Sequence, residues 1–122
     1  DRVELPGFVP PLLLPDVLMG CKVGVVASGV SLDQFHYSPV KLREYAAAGL
    51  VVCLPPVGEM AELADEPWVV THDNTEASLR AAMREALDRA EDPSVVAAAR
   101  AYAEAHYGWE RWWEQLMGTL RP

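Results

Sequence analysis

The chain has 122 residues, 51% hydrophobic and 23% charged, the makeup of one small folded domain and not of a disordered tract. Its formal net charge is −8, unevenly spread: residues 1–58 hold five acids and four bases, residues 59–122 thirteen acids and six bases. That balance argues against general nucleic-acid binding and places any anionic ligand in the nearly neutral first half.

In chain order, Arg2–Leu5 reads as a short strand closed by Pro6-Gly7. Leu12–Met19 reads as a helix carrying Leu12, Leu13, Val17 and Leu18, with Gly20 after it. Val23–Ala27 and Val51–Leu54 are unbroken apolar runs, the mark of strands covered on both faces. Between them Pro39–Ala48 reads as a helix stopped by Gly49. Strand, helix, strand in about 30 residues predicts a parallel unit with a crossover helix.

After Gly58 the pattern predicts a short helix over Glu59–Ala64 and a strand over Trp68–Thr71. Glu76–Ala90 follows as a helix capped by Thr75, with Leu79, Met83, Ala86, Leu87 and Ala90 as its inner stripe. Ser94–His106 repeats the pattern through Val95, Ala99, Tyr102 and Ala103, and Asp92-Pro93 marks the break. The last helix, Trp109–Leu120, gathers Trp109, Trp112, Trp113, Leu116, Met117 and Leu120 on one face, read first as core packing. The expected architecture is a single α/β domain over 1–122, a parallel Rossmann-like sheet with helices on both faces.

The sequence speaks against other classes as well. The longest uncharged stretch, Tyr45–Gly58, has 14 residues and is interrupted by prolines and glycines, short of the ~20 a membrane span needs. The front carries no secretory-signal pattern, and a chain starting at Asp1 without Met is expected to be a piece of something longer. Cys21 and Cys53 each lie beside apolar residues with no CxxC spacing, which predicts two buried free thiols and a cytoplasmic protein. No Asp-x-Asp pair or ligand cluster appears, so no metal is expected.

In parallel sheets ligands bind where strands run into helices, here the Ser28–Ser38 segment and the Pro55–Glu59 turn. The stretch Ser38-Pro39-Val40-Lys41-Leu42-Arg43-Glu44 carries the richest chemistry. Ser38 is expected as N-cap and Pro39 as first helical residue, which puts Lys41 third, where the helix dipole disfavours a cation. A bound phosphate, cradled by the amides of Val40, Lys41 and Leu42 and by the ammonium, would resolve that conflict. A solvated surface lysine is the equal alternative on spacing alone. Glu44, three residues on, shares the face one turn deeper and can accept hydrogen bonds from the vicinal hydroxyls of a ribose; the plain alternative is an exposed, paired glutamate.

The stretch S-P-V-K-L-R-E-Y-A-A-A-G-L-V-V resembles the signature of family-4 nucleotide-sugar glycosyltransferases of the GT-B fold, whose donor-binding half shows Pro-x-Lys/Leu-Leu-x-Glu-small-x-Ala-x-Gly-x-Pro-Val-Val. The flanks are similar in order. R-V-E-L-P-G-F-V-P resembles the family's Val-x-Phe-x-Gly-x-Val strand and turn, and M-G-C-K-V-G-V-V-A-S the next helix end and strand. V-G-E-M-A-E-L resembles its glycine-Glu loop, which brings in Gly58, and Y-G-W-E at Tyr107–Glu110 the start of its last helix.

The resemblance implies a retaining transferase that moves a sugar from a UDP-, GDP- or ADP-sugar to a glycan, lipid or small acceptor, with the nucleotide sugar as substrate and no cofactor. It implies that Glu44 is the second glutamate of a Glu-x7-Glu pair and holds the donor ribose. Pro39, Val40 and Lys41 would then meet the diphosphate. The first glutamate would fall at His36, which either contacts sugar or phosphate or is a loop histidine with no task. Pro55 also departs from the family's small residues after that strand. The family's N-terminal acceptor domain, and two further strands with basic residues, are not in these residues, so the fragment alone is expected to be inactive; membrane association, at most peripheral, would come through that missing domain. Two alternatives stay open: a non-catalytic module that kept the fold and serves protein interaction, and a sugar-nucleotide epimerase of the same fold. His72 and His106 are expected to be structural or exposed.

Overall fold

The computed structural model describes residues 3–27 and 39–120. It is an α/β domain around three parallel strands, β1 (Val23–Val25), β2 (Val51–Leu54) and β3 (Val69–Thr71), in the order β1-β2-β3. Val23 pairs with Val51, Gly24 with Val52 and Val25 with Cys53; Val52, Cys53 and Leu54 in turn pair with Val69, Val70 and Thr71. The helices are α1 (Leu14–Met19), α2 (Val40–Ala48), α3 (Glu76–Arg89), α4 (Pro93–Tyr107) and α5 (Trp109–Leu120).

β2 is central and buried on both faces, as its unbroken V-V-C-L run requires. Strand alternation sends Val52 and Leu54 to one side, where they pack with Leu42 and Ala46 of α2 and Ala99 and Ala103 of α4. Val51 and Cys53 face the other way, onto Val70 and onto Ala82 and Ala86 of α3. Helices therefore cover both faces of the sheet. α2 ends where Gly49 turns left-handed at φ 80°, releasing Leu50 into β2.

Several expectations are corrected. Val3–Leu5 forms no strand: a strand exists only through a neighbour, and here Val3 and Leu5 stand in solvent. The Leu12–Met19 helix begins instead as a 3-10 turn over Pro11–Leu13, because Pro15 has no N–H to offer and the α-helix starts only at Leu14. Glu59–Ala64 is likewise a 3-10 segment, Gly58–Leu63, closed by a bond from the Met60 amide to the Val57 carbonyl.

α3 is capped by Thr75, whose Oγ1 accepts from the Ser78 amide at 3.2 Å, and its inner stripe is the expected one in part, with Ala86 buried and Leu79 and Ala90 packed beside it. Ala82 and Ala86 meet the sheet, while Met83 and Leu87 are exposed. Close approach of helix to strand favours small side chains, so Met83 and Leu87 are left outside. α4, capped by Asp92, buries Ala99 and Ala103 as expected. α5 overturns the core-packing reading, since it buries no residue and leaves Trp109 76% exposed. Among the described residues, Leu116 and Met117 of its apolar face are only half-buried and the tryptophans stand exposed. Cys53 is buried and Cys21 exposed at the end of α1, so the pair of buried thiols reduces to one.

Candidate functional site

The β1–α2–β2 unit is the parallel crossover expected from sequence, and it brings the start of α2 to the carboxyl ends of β1 and β2. Two contacts fix that neighbourhood. Arg43 Nη2 lies 3.9 Å from Glu59 Oε1, joining the first turns of α2 to the segment that leaves β2. Tyr45 packs its ring against the backbone of Gly24 in β1.

The N-cap of α2 is Pro39, extended at φ −72° and ψ 127°, not Ser38. The buried Pro39 lies just outside the helix and its carbonyl accepts from the Leu42 amide at 3.1 Å, which is the role of a half-in cap residue. Lys41 is thus the second helical residue, one place earlier than the sequence suggested, and still in the first turn. Leu42 is turned into the core and its amide is engaged, so it does not serve a ligand as expected; the amides of Val40 and Lys41 precede the first turn's acceptors. His36 and Ser38 lie outside the described residues.

Lys41 is half-buried and Glu44 exposed. Their spacing puts them on neighbouring positions of one helix face, Cβ atoms about 5–6 Å apart. Glu44 opens onto a cavity of about 280 Å³ between α1 and α2, lined by Pro11, Leu14, Pro15, Leu18 and Ala47 among others. Among the described residues Glu44 is the only charged one in that lining, so the cavity offers an apolar wall beside one carboxylate. Burial first, and then the Glu44 carboxylate and Cys21, push the neighbouring Tyr45 hydroxyl above its ordinary value. Gly58, the other predicted contact, takes φ 55° at the start of the 3-10 segment after β2.

His72 proves structural, one of the two roles its sequence context predicted, whereas nothing in the sequence signalled the role of Arg43. His72, expected to be structural or exposed, is buried and braces the site: one ring nitrogen, Nε2, lies 2.9 Å from the Val26 carbonyl, and Nδ1 accepts from the Asn74 amide at 3.1 Å. With Nδ1 accepting, Nε2 is the donor to Val26. This ties the end of β3 to the residue that leaves β1. Arg43 carries more than its neighbours suggested: it pairs with Glu59 and lies over the Tyr107 ring, 5.4 Å from its centre. Only tertiary structure joins these positions. His106 is exposed, stacked on Tyr102 at 4.0 Å.

Among the described residues no group of three or more His, Cys, Asp or Glu is placed to hold a metal ion, and no helix is long and apolar enough to cross a membrane. Compared with protein-family models, with curated proteins and with solved structures, the chain matches none of them.

Proposed function

We propose that this chain is the donor-binding part of a GT-B-type glycosyltransferase, holding a nucleotide-diphosphate sugar at the start of α2. The observation that carries the reading is the pairing of Lys41 and Glu44 on one face of a helix that starts at the carboxyl edge of a parallel sheet. The diphosphate sits at the helix tip, where the early amides and the Lys41 ammonium oppose its charge. One turn on, Glu44 accepts from both ribose hydroxyls. The apolar wall formed by Leu14, Pro15 and Leu18 gives the flat face of the base a surface beside that carboxylate.

The chemistry asked of these residues is positioning and charge stabilisation of the leaving diphosphate. The acceptor is held by the further domain that the resemblance implies. The reading is tested by incubating the protein, together with that domain, with UDP-, GDP- and ADP-sugars and following transfer to an acceptor and release of the nucleoside diphosphate. Release that disappears in Glu44→Gln supports it; absence of release with all three donors contradicts it.

A second reading, a non-catalytic module for protein interaction, is favoured by one observation: α5 presents Trp109, Trp112, Trp113 and Leu120 to solvent. Such a module would bind no sugar nucleotide at α2, and that separates the two.

A further inference from the structure

A second groove lies on the other side of α2. It has a volume of about 440 Å³ and is lined by Arg43, Glu59, His106, Trp109, Trp112 and Gln115, with Tyr107 and Gly108 at its base. Four elements build it: α2, the 3-10 segment after β2, the end of α4 and the start of α5. Its size falls within the roughly 300–1,000 Å³ of small-ligand clefts.

The chemistry of the wall is mixed in a particular way. Trp109 and Trp112 meet edge to face with centres 5.4 Å apart, which leaves indole surface open to solvent. Beside them stand one guanidinium and one carboxylate, 3.9 Å apart, so their charges cancel. Gln115 and His106 add groups that donate or accept hydrogen bonds. A phosphorylated ligand would need surplus positive charge here, and a cation surplus negative; among the described residues the lining carries one formal charge of each sign. It fits a neutral molecule with one apolar face and a rim of hydroxyls.

We infer that this groove binds a neutral saccharide, its ring face laid on Trp112 and its hydroxyls shared among Glu59, Arg43 and Gln115. The inference stands on these residues alone and does not require a nucleotide at α2. A hexose ring has this amphipathic shape: axial C–H bonds make one face apolar, and its hydroxyls suit a paired carboxylate and guanidinium.

The test is titration of the protein with neutral glucose, mannose and N-acetylglucosamine tetrasaccharides, read by the indole N–H resonances of Trp109 and Trp112. One of the three is expected to shift the Trp112 signal saturably. Trp112→Ala, at a residue already 52% exposed, is expected to weaken binding at least about tenfold. Glu59→Gln is expected to weaken it severalfold, while Trp113→Ala, outside the groove, leaves it unchanged. Saturable shifts lost in Trp112→Ala and kept in Trp113→Ala support the inference. It is overturned if no tetrasaccharide moves either signal, if Trp113→Ala weakens binding equally, or if the shifts track protein concentration and so report self-association. Nucleotide titration of the same variants is a separate readout, so failure here leaves the α2 reading to its own test.

Discussion

Tyr45 lies on Gly24 so closely that a Cβ at position 24 would stand 2.4 Å from its Cδ2 and 2.6 Å from its Cγ. A ring seated on bare backbone lets α2 approach β1, and that approach sets where Lys41 and Glu44 stand. Gly24→Ala must push back a rigid aromatic ring held at the helix–sheet junction. The expected loss is about 2 kcal/mol of stability by urea unfolding, in line with overpacked sites. In a Tyr45→Ala background the same change is expected to be much smaller, because the two residues share one contact.

The His72 brace makes a second prediction. Removing the ring strands the Val26 carbonyl and the Asn74 amide, each buried or half-buried. His72→Ala is expected to destabilise by about 2–4 kcal/mol, the sum of two groups left without partners. Asn74 sits at φ 65°, so Asn74→Gly should be tolerated where Asn74→Val is not, as unfolding midpoints would reveal.

How legible was all this in the sequence? The apolar runs at 23–27 and 51–54 located the two strands, because strands covered on both faces leave no polar alternation to misread. Gly49 and Thr75 marked helix ends for local reasons that survive in the structure. Val3–Leu5 failed because pairing is a property of two strands, not one. α3 was legible in part: Leu79, Ala86 and Ala90 pack toward the sheet as their spacing predicted, whereas Met83 and Leu87 are exposed and Ala82 takes an inner place, a choice only packing distance makes. Lys41 and Glu44 were legible, being three residues apart on one helix. Arg43 with Glu59 was not, since nothing in either local window names the other.

The two cysteines should react differently. Cys21 is exposed, whereas burial, with a smaller contribution from Glu85, raises the Cys53 thiol to about 11. The thiolate is the nucleophile, so Cys53 is protected by access and by protonation. A maleimide at pH 7 is expected to label one site in the folded protein and two in urea, with mass spectrometry placing the first label on Cys21.

Tyr107 predicts an alkaline limb of stability. Burial above all, then Tyr102 and Glu59, pushes its hydroxyl up to about 12 despite the opposing pull of Arg43. A raised value means the fold prefers the protonated ring, so its contribution is complete below about pH 10, the unfolded value, and is lost as pH climbs toward 12. Tyr107→Phe is expected to flatten the fall in unfolding free energy over that interval. An unchanged slope would mean that Tyr107 ionises as freely in the fold as out of it.

If α2 grips a nucleoside diphosphate by its tip and its second turn, titration with UDP, GDP and ADP is read at the amide resonances of those residues. One of the three is expected to move residues 40–44 saturably. Glu44→Gln is expected to weaken that binding about tenfold or more, and Lys41→Ala by a similar factor with a shallower salt dependence. Silence at 40–44 with all three nucleotides, or binding indifferent to both substitutions, would contradict it.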